Sequence, residues 1–250
     1  MIRDHLSDRG FRQEEDFRWR GKDVTRIEEL TDAVFAFSIT LLVVSLEVPS
    51  SFDQLMITMQ GFFAFSVTFA GIIGIWYAHY IFFRRYGLQD GRTIFLNAVL
   101  LLVVIFYIYP LKFLANLLIG YGLMHRVFGL DMAIDASIQA TQWPTLMLIY
   151  SLGFLAIFLI FVLLYLNAYH KRRELELNEI ETFATKTGVQ SYLIIVVIAA
   201  TSIILALTLP INYISLSGWI YCLVGPIMAW FGIRSGKRME RMKAELAEDA

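Results

Sequence analysis

Charge is scarce in this chain. Only 17% of its 250 residues are Asp, Glu, Lys or Arg, while 58% are hydrophobic, and the mean hydropathy is +0.61. A soluble domain of this length carries nearer about a quarter charged residues, so the excess apolar surface requires a lipid solvent. Cysteine is almost missing. The single Cys222 excludes an intramolecular disulfide and a multi-cysteine metal site, and its apolar surroundings read as those of a small buried hydrophobe. The net charge of -1 offers no basic excess for nucleic acid. A cleavable signal peptide is not visible either, because residues 1–24 mix both charge signs without a continuous apolar run. They read as a solvated cytoplasmic arm with a short surface helix around Phe11, Phe17 and Trp19.

Catalytic patterns are also missing. No HExxH, GxSxG or phosphate-cradling loop is present. Enzymes and proton-coupled carriers in membranes need ionisable groups near mid-depth. The later apolar runs offer only His79, Lys112 and His170, all near run ends. The chain therefore reads as a non-enzyme with no cofactor and no metal site.

What is present is a series of helix-length apolar runs. Residues 61–83, 93–118, 146–166, 191–209 and 211–233 each read as a span, with Pro110 kinking the second of these and Gly225 and Pro226 interrupting the last. A surface helix is expected within the long loop before Gln142. A sixth, shorter run lies between Asp32 and Glu47, fourteen residues without formal charge, about 21 Å of helix against a hydrocarbon layer of roughly 30 Å. Only helices or closed barrels satisfy the backbone in lipid, and these runs lack period-two alternation. The fold class expected is an all-α integral membrane protein with six transmembrane helices: a 1–24 arm, a 25–233 helical domain and a 234–250 charged tail. Nineteen of the 21 Lys and Arg residues fall on one side of this arrangement, leaving only Lys112 and Arg126 on the other. By the positive-inside rule both termini are cytoplasmic.

The short first run stands apart. At about 100° per residue, Leu30, Ala33, Phe37, Leu41, Val44 and Val48 share a stripe with Thr40 on its shoulder and Arg26 at its base. Asp32 points about 140° from Phe37, towards the other helices of its own chain. Such a stripe is either a path lining or an ordinary packing seam.

Arg26, Leu30, Thr31 and Asp32 form an RxxxLTD pattern that resembles the RxxxFSD signature of the transmembrane protein 175 family, potassium channels of endolysosomes with single-repeat prokaryotic relatives. The continuation DAVFAFSITLLVVSLEVP is similar to the first helix of the prokaryotic branch, and IWYAHYIFF with Asp90 and Asn97 resembles its second and third helices. The likeness covers roughly residues 25–110. It implies a homotetramer whose four first helices surround a pore. Phe37 would take the narrowest position, Thr40 the hydroxyl layer associated with selectivity, and Leu41 and Val44 the apolar wall. Arg26, Leu30, Thr31 and Asp32 would form the motif that holds the helix, with Trp76, His79 and Asn97 as candidate partners. Leu30, Thr31 and Phe37 depart from the family's usual aromatic, serine and branched aliphatic residues.

The implied function is a potassium-preferring channel with an apolar side-chain constriction, since no TVGYG-like carbonyl filter is present. Potassium is the permeant ion, and the partners are other copies of the chain, the bilayer and monovalent cations, in a prokaryotic inner membrane. A small secondary transporter and a non-conducting structural membrane protein are the rival readings. His79 reads either as a pH sensor or as a hydrogen-bonded structural residue.

Overall fold

A computed structural model describes residues 17–21, 23–44, 49–60, 62–117 and 138–248. The expected surface helix around Phe11 and most of the one before Gln142 lie outside these residues. Among the described residues the regular structure is entirely helical, without a strand.

The first helix, α1, is Arg26–Val44. It starts where Thr25 and Glu28 close a reciprocal cap: Glu28 N donates to Thr25 Oγ1 at 3.3 Å and Thr25 N to Glu28 Oε2 at 2.9 Å, satisfying amides that the first turn leaves free. A short helix, α2 (Phe52–Gln60), follows, then α3 (Phe62–Tyr86), α4 (Gly91–Leu117) and α5 (Trp143–His170). A tight turn at 171–176 reverses the chain into α6 (Glu179–Thr208), whose start is another reciprocal cap between Asn178 and Glu181. The helices pack in sequence across the molecule: α1 lies on α3 and α4, α4 on α5, α5 on α6, and α6 on the last long helix, α8 (Val224–Glu248). Thus α1 forms one edge of the bundle and α8 the other.

Five helical stretches are long and apolar enough to cross a membrane: Phe62–Tyr86, Gly91–Ala115, Ala140–His170, Glu179–Thr208 and Ile211–Leu246. Each extends past its apolar run at one end or both, and at α6 the Asn178–Glu181 cap carries the helix into polar sequence. The last stretch is irregular at its start, with 3-10 turns at Ile211–Tyr213 and Ile220–Leu223 around the five-residue α7 (Ser215–Trp219). Pro226 explains where α8 restarts. A proline costs no helix hydrogen bond in the first turn, where amides have no partner. The helix α4, by contrast, runs through Pro110 to Leu117.

Aromatic side chains fill the core at the basic end. Phe82, Tyr86, Phe161, Tyr165 and Tyr192 interlock, with Phe82 and Tyr165 centroids 5.3 Å apart and Phe161 stacked on Tyr192 at 5.1 Å. On the outside of α4, Phe95, Leu102, Phe106 and Tyr109 are all exposed along one helical stripe, as lipid contact requires.

Two sequence expectations need correction here. Cys222 is exposed, not buried, because its 3-10 turn lies on the outside of the bundle edge. Residues 17–21 are not helical, and among them only Arg18 is exposed. They pack against α3 and α6, burying Phe17 edge-on against Tyr86 at 5.5 Å. Arg20 and Gly21 both donate backbone amides to Arg84 O, at 3.1 and 3.2 Å. Arg20 also grips buried Glu181 with two guanidinium nitrogens, at 3.0 and 2.6 Å. This approach requires glycine at Gly21, since a Cβ there would collide with Phe83 O, and at Gly87, which turns the chain with φ of +57° against the Arg20 backbone.

Candidate functional site

The candidate site is α1, which has two unlike faces. Thr31, Phe35, Ser38 and Leu42 are buried against α3 and α4. On the other side Leu30, Ala33, Phe37, Thr40 and Val44 are exposed, Phe37 by 56% and Val44 by 70%. Leu41 is half-buried. Of the stripe foreseen from helical spacing, Leu30, Ala33, Phe37 and Val44 are thus left uncovered by the chain's own helices, Leu41 is partly covered by the core, and Val48 lies outside the described residues. Thr40 Oγ1 donates back to Ala36 O at 2.9 Å, so its hydrogen is engaged while its oxygen lone pairs remain available outward.

The buried face is fixed by polar anchors near the base of the helix. Asn97 Nδ2 on α4 donates to Thr31 Oγ1 at 2.9 Å, and the Thr31 hydroxyl donates to Ile27 O at 2.8 Å. Asn97 Oδ1 meets His79 Nε2 at 2.9 Å. With the Asn97 oxygen accepting, His79 must carry its hydrogen on Nε2. Each of Thr31, His79 and Asn97 is at most 2% exposed, where an unpaired polar group is costly. A separate bond holds Asp32: Trp76 Nε1 on α3 donates to its Oδ1 at 2.7 Å. The structure therefore brings Thr31, His79 and Asn97 together, and Asp32 with Trp76. It does not bring Arg26 into either group. Arg26 is exposed and makes no hydrogen bond or ion pair among the described residues.

Higher on the helix, Ser38 Oγ is buried without a hydrogen-bond partner among the described residues, and the side chains of Phe35 and Leu42 pack into the apolar core.

Two clusters escaped the sequence reading. One is the grip of Arg20 on Glu181, for which the Asn-x-x-Glu spacing at 178–181 was the available signal. The other sits where α4 begins. Thr93 Oγ1 donates to Asp90 Oδ1 at 2.7 Å, Asn167 Nδ2 to both Asp90 oxygens at 3.2 Å, and Lys171 Nζ lies 3.6 Å away. Burial pushes the Asp90 carboxyl up, but the bonds from Thr93 and Asn167 and the Lys171 charge outweigh it and hold it below the usual carboxylate range. Among the described residues no group of three His, Cys, Asp or Glu side chains could hold a metal ion.

A helical membrane protein with one edge helix, apolar on its uncovered face and pinned by polar bonds on the other, is the class that these features define. Residues 26–107 match the profile of the family described as "Endosomal/lysosomal potassium channel TMEM175". A potassium channel of Marivirga tractuosa is 42% identical over 230 residues, 90% of this chain and 93% of that relative. A potassium channel of Chamaesiphon minutus is 33% identical over 102 residues, 38% of this chain and 50% of that one. The fold also superposes on a crystal structure of a variant of the potassium channel MtTMEM175 in complex with a Nanobody-MBP fusion protein, with a TM-score of 0.79 and 40% identity over 91% of this chain and 99% of that one. The chain belongs to the TMEM175 family.

Proposed function

We propose that this protein is a potassium-preferring cation channel in which four copies of the chain place their α1 helices around a common axis. The observation that carries this reading is the uncovered face of α1. Phe37 and Val44 are large apolar side chains left exposed on a helix whose opposite face is fully packed. A single α1 cannot enclose a path, whereas a cyclic assembly can. In this reading α1 is a sixth span, about 28 Å long, the basic residues lie in the cytoplasm with both termini, and the chain resides in a prokaryotic inner membrane. The potassium channels among its relatives support the choice of ion.

The physics of selection follows from the helix. Its carbonyls bond to amides four residues on, so they cannot replace an ion's water shell. The path instead narrows at the rings of Phe37 and the side chains of Leu41 and Val44, a constriction that dewets when closed and admits ions when the helices part. Potassium sheds water more readily than sodium, so partial dehydration at this point favours it. Thr40 oxygens stand one turn beyond Phe37 and supply lone pairs to the partly stripped ion. Arg26, Leu30 and Asp32 lie at the cytoplasmic base, where Asp32 and Thr31 hold the helix in place.

The test is flux through the purified protein in liposomes under opposed potassium and sodium gradients. Potassium-driven flux is expected, and Phe37→Ala is expected to raise it while lowering the potassium preference. Current and selectivity unchanged by that substitution would remove Phe37 from the constriction. Saturable, counter-ion-coupled flux would indicate a transporter, and no flux from a well-assembled oligomer a structural protein.

A further inference from the structure

The opposite edge of the bundle carries a second feature. After the apolar residues that end at Ile233, α8 continues as helix to Glu248. Counting from Trp230, the residues Arg234, Lys237, Arg238 and Arg241 recur at helical spacing, so the ring and four cations share one stripe. All are exposed, with Trp230 at 60%. The four cations line a single concavity of about 390 Å³. None of them forms an ion pair with a carboxylate among the described residues. Arg234 instead lies 5.3 Å from the Trp230 ring centroid and Arg238 5.8 Å from that of Phe183 on α6. Rings position the guanidinium groups without neutralising them. Glu240 stands roughly 120° around the helix from Arg234, and Glu245 follows one turn beyond Arg241.

Depth decides what such a site meets. With Trp230 at the interface where aromatic residues gather, Arg234 stands about 6 Å further out and Arg241 about 16 Å. The headgroup layer reaches only about 5–7 Å beyond the hydrocarbon. Helical side chains lean towards their helix N-terminus, which for α8 lies in the membrane, so the long stems of Lys237, Arg238 and Arg241 bring their charges back towards the phosphates. Guanidinium forks match phosphate oxygens in pairs. A free anion has no use for the exposed Trp230 and Ile233 directly beneath the cations, but a lipid places its glycerol and upper acyl chain there. We propose that this stripe binds the headgroup of an anionic phospholipid, with Arg234, Lys237, Arg238 and Arg241 holding the phosphate and Trp230 lying against the glycerol region. The site is independent of the conduction path.

The experiment is native mass spectrometry of the full-length protein in detergent, titrated with phosphatidylglycerol or with phosphatidylcholine of the same acyl chains. The wild type is expected to bind phosphatidylglycerol at least tenfold more tightly. Neutralising the stripe with Arg234→Gln, Lys237→Gln, Arg238→Gln and Arg241→Gln together should abolish this preference, each cation contributing about fivefold near an anionic surface. Replacing the three arginines with lysine should keep most of it, and Lys186→Gln on α6 should leave it unchanged. Equal binding of the two lipids by the wild type overturns the proposal without any variant. So does a preference that survives the four glutamines, or displacement of the lipid by millimolar inorganic phosphate, which would mark a free-anion site.

Discussion

At the scale of the residue, α1 is held by hydrogen bonds that leave little slack. Thr31 is the hinge of the group, accepting from Asn97 and donating to Ile27 O. Thr31→Val keeps the shape and removes the acceptor, leaving Asn97 Nδ2 buried and unpaired at an expected cost of about 1–3 kcal/mol. The measurement is thermal unfolding in detergent. Thr31→Val combined with Asn97→Leu should cost less than the two changes summed, since the second removes the orphaned donor. An additive pair would show that the bond contributes nothing. Helical spacing turned Asp32 towards its own chain, and the structure bonds it to Trp76, a partner the family resemblance offered, yet leaves Asp32 exposed. The orphaned Ser38 was not legible, because a serine in an apolar run says nothing about which atoms of a neighbouring helix lie opposite.

At the scale of the element, the apolar runs located all five long stretches, since a span needs both length and low charge. Where a helix runs on past its apolar run, the difference arises because hydropathy does not register caps. Asn178 and Glu181 start α6 twelve residues or so before its apolar run begins, and the nine-residue helix Phe52–Gln60 is too short for hydropathy to single out. Packing between elements was illegible for the same reason, as the seam between α4 and α5 illustrates. The Tyr107 ring lies directly over Gly153, and its hydroxyl donates to Ile149 O at 3.0 Å, one turn earlier on α5. A methyl group at Gly153 would occupy the space of that ring. Gly153→Ala is therefore expected to destabilise the protein by about 1–3 kcal/mol, read as a lowered melting temperature. Tyr107→Leu in the same background should recover part of the loss, and failure to do so would mean that the ring had moved aside freely.

At the scale of the whole molecule, an uncovered apolar face in the single chain has to meet lipid or another copy. Ala33 lies on that face, exposed, between Leu30 and Phe37. If copies meet there, Ala33→Glu brings like charges together around the axis, a juxtaposition worth several kcal/mol against assembly. The oligomer should then dissociate at least tenfold more readily, as read by mass determination in detergent, with helical content unchanged. An intact tetramer would place the contact elsewhere. Sequence spacing made this face legible, but not the lashing of residues 17–21 to α3 and α6. Charged residues before a first span usually read as solvent-facing, and only the three-dimensional meeting of Arg20 with Glu181 reveals otherwise.

That lashing turns α1 into a cantilever. Its root is clamped through Gly21 and Arg20, and again at Thr31 and Asp32, while the buried Ser38 Oγ further along finds no hydrogen-bond partner among the described residues. A beam fixed at one end deflects most at its tip. The same bending load that barely disturbs Leu30 swings Val44, about 21 Å further along, through a wider arc, so if α1 lines a path as proposed, its widening is graded from a stiffer end at Leu30 to a more compliant one at Val44.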